Sequence, residues 1–150
     1  MRKTPVPTQP NRVRGSTLDV RKRTGEIMAL AGGCFCGRVR YRIDAALRSG
    51  RSCHCSRCRK AFSGAGSAYA EVVPGSFTWL SGQESLSFYE TTPGWGLGFC
   101  RTCGSTLCGT NQGQVHGVTL GSVDGDPGVQ IEMHISSVAY RRMLRSSRVG

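Results

Sequence analysis

Seven of the eight cysteines in this chain fall in three tight clusters, and no other feature constrains the fold as strongly. The clusters are Cys34-Phe35-Cys36-Gly37, Cys53-His54-Cys55-Ser56-Arg57-Cys58 and Cys100-Arg101-Thr102-Cys103-Gly104. Cysteines in such numbers form either disulfides or metal sites. Disulfides need an oxidising compartment, usually reached through a signal peptide with an apolar core. Here Met1-Arg2-Lys3 is followed by Thr4-Pro5-Val6-Pro7-Thr8-Gln9-Pro10, which is no such core. No run is long enough to cross a membrane as a helix. Metal is therefore the favoured reading, with a cytoplasmic location. Gly37 and Gly104 agree with it. A zinc knuckle turns sharply behind its second sulfur, where glycine tolerates a positive φ.

Ligand counting divides the clusters. A closed structural zinc takes four ligands. Cys34, Cys36, Cys100 and Cys103 supply four from two distant turns, which the metal would clamp together. Cys53, Cys55 and Cys58 supply three on one short loop. Three protein ligands with one vacant position is the pattern of a catalytic or exchangeable zinc, and this second zinc is expected to be labile. Spacing leaves an alternative, in which His54 or Cys108 closes the second site and both sites are structural. A zinc bound by three thiolates carries net negative charge, so it activates water poorly. It still accepts a soft thiolate and lowers that thiol's pKa. The open cluster thus suits thiol chemistry better than hydrolysis. Arg57, Arg59 and Lys60 flank it and are candidates for gripping the carboxylates of a thiol substrate, against the plainer reading of a solvated surface.

The remaining sequence reads as mainly β. The hydrophobic fraction is 38% and glycine is abundant at 21, which favours short strands and tight turns over a helical bundle. Val39, Tyr41 and Ile43 alternate with arginines over 38–43, as in a half-buried strand. Val129, Ile131, Met133 and Ile135 alternate in the same way with Gln130, Glu132 and His134. Further strands are expected at 68–73 and 77–80 around the Pro74-Gly75 turn, and at 86–90, 95–99 and 115–123. Short helices are expected at 56–62 and 138–144. Trp79, Trp95 and Phe99 are expected to pack the core, and Cys108 to be a small buried hydrophobe. His54, between two ligands, is expected to point away from their metal. His134 either lines a pocket or is exposed on its strand. Tyr69 and His116 carry no signal.

The net charge of +11 lies mostly at the ends. Residues 1–27 hold seven Lys/Arg against two acids, residues 139–150 four against none, and the middle nine against seven. This divides the chain into a disordered basic extension (1–28), one zinc domain (29–138) and a basic C-terminal tail (139–150), with Met28 a candidate start. A nucleic-acid surface places its basic stripe on the folded part, so the nearly neutral middle disfavours that partner. The competing function is a non-catalytic zinc module whose basic tails bind nucleic acid. The oligomeric state is left open.

Three stretches together resemble the CENP-V/GFA family, which includes the glutathione-dependent formaldehyde-activating enzymes. They are Gly32-Gly33-Cys34-Phe35-Cys36-Gly37, Cys53-His54-Cys55-Ser56-Arg57-Cys58-Arg59-Lys60 and Gly98-Phe99-Cys100-Arg101-Thr102-Cys103-Gly104-Ser105. Val118-Thr119-Leu120-Gly121-Ser122 and His134-Ile135 extend the likeness to about residue 135. The resemblance implies a β-tent fold with two zincs. It places Cys34, Cys36, Cys100 and Cys103 at the structural zinc and Cys53, Cys55 and Cys58 at the zinc of the active centre. It also implies carbon–sulfur lyase-type activity with glutathione as the thiol partner. Two features depart from the family: Ser136 to Arg142 lacks a Pro-Trp pair, and the basic N-terminal extension lies outside the pattern.

Overall fold

A computed structural model describes residues 29–138 of the 150-residue chain. The expected basic extension and tail lie outside the described residues, as does nearly all of the expected helix at 138–144. The described strands are β1 (Leu30–Gly33), β2 (Arg40–Ile43), β3 (Arg48–Cys53), β4 (Ser67–Glu71), β5 (Phe77–Ser81), β6 (Leu86–Thr92), β7 (Trp95–Cys100), β8 (Thr106–Asn111), β9 (Gln114–Thr119) and β10 (Ile131–Ile135). Helix α1 (Ser56–Phe62) joins β3 to β4. The protein is mainly β, as the sequence implies.

The strands form two sheets. The smaller has the order β1-β2-β5, and the larger β10-β3-β4-β9-β8-β7-β6. The core lies where they face each other. Val39, Tyr41 and Ile43 are fully buried, as their alternation requires, and pack with Leu107, Val118 and Cys108 of the larger sheet. Burial of each large side chain contributes about 1.5–3 kcal/mol. The Tyr41 hydroxyl is satisfied by the Ser122 hydroxyl at 2.7 Å. Its ring packs against Phe77 at 5.1 Å and edge-on to Trp79 at 6.1 Å.

The strands expected around Pro74-Gly75 are present as β4 and β5, and they lie in different sheets: β4 bonds to β3 and β9, while β5 bonds to β2. The turn closes with a Ser76 N–H to Val73 carbonyl bond of 3.0 Å and hands the chain from one sheet to the other. The strand expected over 115–123 stops at Thr119, where Leu120–Ser122 turns as a single 3₁₀ turn. The alternating apolar residues of β10 are not core. Ile131 and Met133, on the outermost strand of the sheet, are 41% and 53% exposed. Trp95 is also outside the core, 46% exposed, with its ring edge-on to His116 at 4.9 Å. Phe99 is half-buried.

Candidate functional site

All eight cysteines are free thiols, and seven gather into two groups. Cys34, Cys36, Cys100 and Cys103 have sulfurs within 4.8 Å of one another. Two knuckles bring them together. One follows β1, closed by a Gly37 N–H bond to the Cys34 carbonyl at 3.0 Å; the other follows β7, closed by Gly104 N–H to the Cys100 carbonyl at 2.8 Å. Gly37 and Gly104 both have φ of +76°, the left-handed conformation the sequence calls for. The Ser105 hydroxyl ties the knuckles to each other, accepting from the Phe35 N–H at 3.0 Å and lying 3.3 Å from Cys103 Sγ. The Val39 N–H donates to Cys34 Sγ at 3.3 Å.

This group fits zinc. Tetrahedral thiolates at about 2.3 Å from a zinc ion are about 3.8 Å apart. Cys34 Sγ to Cys36 Sγ is 3.5 Å and Cys36 Sγ to Cys100 Sγ is 3.9 Å. Burial pushes Cys103 up, but hydrogen bonds from Ser105 and Cys36 outweigh it and bring the thiol down to about 6. For Cys36 the Arg38 N–H pulls downward, while desolvation and the neighbouring thiols push harder, to about 11. Four thiols this close cannot all lose their protons unless a cation replaces them.

The second group is Cys53, Cys55 and Cys58, whose sulfurs also lie within 4.8 Å of one another. Cys53 ends β3 and Cys55 is the N-cap of α1, so one residue, His54, separates the strand's end from the helix cap. The Cys58 N–H donates to Cys55 Sγ at 3.4 Å, which caps the helix and holds the Cys55 thiol below its ordinary value. Burial and the Cys53 and Cys55 side chains push Cys58 up to about 12. Here too the crowded thiols fit a soft cation, which would displace the Cys58 proton. At its far end α1 stops at Ser63, a left-handed cap, with Arg59 and Lys60 in the last turn opposing the helix dipole.

A cavity of about 580 Å³ opens beside this group, lined by Cys55, Cys58, Arg57, Lys60, Phe62, Tyr89, Thr91 and Leu97. A larger hollow of about 730 Å³ runs from Cys34, Phe35 and Ser105 past Phe62 to Ser67, and includes none of the three cysteines. The smaller cavity joins sulfur to cationic side chains, and for that reason it is the better match to a reactive site.

A family model described as glutathione-dependent formaldehyde-activating enzyme matches residues 29–138. The chain belongs to this family. A crystal structure of a Rhodobacter sphaeroides protein is similar, with 25% identity and a TM-score of 0.53, over 69% of this chain and 98% of that one. No curated protein matches. No described helix is long and apolar enough to cross a membrane.

Within this formaldehyde-activating-enzyme domain, two of the three cations expected near the open cluster line its cavity. The Arg57 guanidinium bonds the Thr91 carbonyl, which steers it across the cavity toward β6. Lys60 lines the cavity and also a separate hollow on the other side of α1. Arg59 lines only the second of these. Cys108 is fully buried, and burial pushes its thiol up to about 12, so it stays neutral and outside both clusters. His54 does not join the sulfur group: its ring is buried, 3% exposed, with Nε2 2.9 Å from His134 Nδ1. This histidine pair is the feature of the site that sequence reasoning missed, and 80 residues separate its members.

Proposed function

We propose that this protein is a zinc-dependent carbon–sulfur lyase-type enzyme acting on a thiol adduct such as S-hydroxymethylglutathione. The observation that carries the reading is the three-sulfur group, two of whose members, Cys55 and Cys58, line a cavity with two cationic side chains. In the forward direction the thiol sulfur bonds to the aldehyde carbon, and the thiol proton ends on the former carbonyl oxygen. The reverse step breaks the same carbon–sulfur bond. Zinc, when bound by Cys53, Cys55 and Cys58, supplies a soft centre that favours thiolate over thiol at neutral pH.

The chain's own groups supply the rest. Arg57 and Lys60 are suited to the carboxylates of glutathione, with the planar guanidinium of Arg57 giving a two-point grip. Phe62 and Leu97 give the cavity an apolar wall, which raises the strength of those contacts by excluding water. Arg59 contributes charge from the far side of α1. Cysteines serving as metal ligands and not as disulfides fit a reducing compartment, in keeping with a cytoplasmic location.

The test is to titrate the zinc-loaded protein with glutathione and with S-methylglutathione by calorimetry. Glutathione is expected to bind at least tenfold tighter. Equal affinity contradicts thiolate recognition. Binding of neither makes the non-catalytic zinc module with basic tails the better reading.

A further inference from the structure

The His54–His134 pair joins the open cluster to the edge of the larger sheet by several contacts. His54 is flanked by two of the cluster's cysteines, so its side chain leaves the loop on the side opposite their sulfurs. Its ring Nδ1 is 2.9 Å from the Ala65 carbonyl, in the loop after α1. A carbonyl only accepts, so Nδ1 carries a proton. In the neutral ring Nε2 is then an acceptor, and the His134 Nδ1–H donates to it at 2.9 Å. The rings are 15° from coplanar with centroids 5.2 Å apart. That separation is close to the N···N distance plus the two ring radii. The rings therefore meet edge to edge, in the geometry of a straight hydrogen bond, and not face to face.

The surroundings are built to the same contact. The His54 backbone N–H donates to the Ile135 carbonyl at 2.9 Å, beside His134. Parallel pairing of β10 with β3 sets His134 opposite Ser52 and Ile135 opposite Cys53. Gly66 completes the seat: a Cβ there would lie 2.7 Å from both the Cys53 carbonyl oxygen and His54 Nδ1. The one residue between Cys53 and Cys55 is thus held by β10 on one side and by the loop after α1 on the other.

We infer that His134 is a positioning residue for the open cluster, acting through His54 to fix the spacing and direction of the Cys53 and Cys55 sulfurs. The inference rests on the reading of Cys53, Cys55 and Cys58 as a metal site, but not on the identity of the substrate. Outer-shell partners that hold a metal's ligands in place are typically worth 10–100-fold in metal affinity. His134 is the part of this device the sequence hides, since it comes from a strand 80 residues away.

The experiment follows zinc release from the full-length, two-zinc protein into a chromophoric chelator, for the native chain, H134A and H134N. Asparagine keeps an N–H at the position of Nδ1. In H134A the fast phase, from the open cluster, is expected to speed up roughly tenfold. H134N should return toward the native rate, and the slow phase and the melting temperature should hold. The cobalt-loaded protein gives a second readout: only the absorption of the less tightly bound cobalt should shift in H134A. An unchanged fast phase in H134A overturns the inference and leaves the proposed function standing. So does equal acceleration of both phases with no rescue by asparagine, the mark of general destabilisation. A native chain that never holds more than one metal overturns both.

Discussion

The two cysteine clusters use the same ligand chemistry and differ in how far the chain travels to make them. The closed cluster draws its sulfurs from two knuckles, with Cys36 and Cys100 64 residues apart. The open cluster takes its sulfurs from six consecutive residues at a strand end and a helix start. Closing a long loop carries a large entropic cost in the unfolded chain, so a metal that closes it contributes most to folding. A metal on a short loop constrains little that the strand and helix do not already constrain. The same ion is thus expected to hold the fold together at one place and to be available for chemistry at the other.

The largest expected difference is in stability. Cys103→Ala removes a ligand from the closed cluster, and structural zinc contributes on the order of 10–16 kcal/mol in small domains. That is comparable to the whole stability of a domain, so thermal melts of C103A should lose their cooperative transition. Cys55→Ala should keep the transition within a few degrees of native and lose one metal by elemental analysis. Matching melts for the two variants would erase the comparison.

Acid should weaken both sites. Cys36 at about 11 and Cys58 at about 12 hold their protons through neutral pH, so each cluster must expel at least one proton to bind metal. The sign follows: apparent affinity falls about tenfold per pH unit for each proton expelled. Below about pH 6 Cys103 also takes a proton, and the loss at the closed cluster steepens. Chelator competition from pH 8 to pH 5 measures both slopes.

Two glycines sharpen the contrast at smaller scale. Gly66→Ala crowds the Cys53 carbonyl and His54, and is expected to weaken the open cluster's zinc roughly tenfold while sparing the other. Gly104→Ala meets no atom within 4 Å but must hold a φ of +76°. Its cost is about 1 kcal/mol, read as a melting point a few degrees lower with both metals retained.

What the sequence disclosed follows physical lines. The cysteine groups were legible because metal ligation demands particular residues at close spacing, and the knuckle glycines because a left-handed turn demands glycine. Helix Ser56–Phe62 and the buried face of Val39, Tyr41 and Ile43 were legible from local pattern. Strand β3 was missed because Arg48-Ser49-Gly50-Arg51-Ser52 has no apolar residue to alternate. Strand β1, Leu30-Ala31-Gly32-Gly33, was missed for want of side chains. Alternation in β10 marked a strand correctly but a buried face wrongly, because periodicity does not say what covers the face. The His54–His134 contact depends on parallel register between β10 and β3, which no local pattern reports.

The central claim is that one metal holds the fold and the other is exchangeable. Native mass spectrometry during a chelator titration of the two-zinc protein tests it most directly, because it counts metals and reports compactness in one spectrum. The account predicts a passage from two zincs to one with the compact charge-state distribution retained, then from one to none with a shift to unfolded charge states. Loss of both zincs together, or unfolding at the first loss, would contradict it.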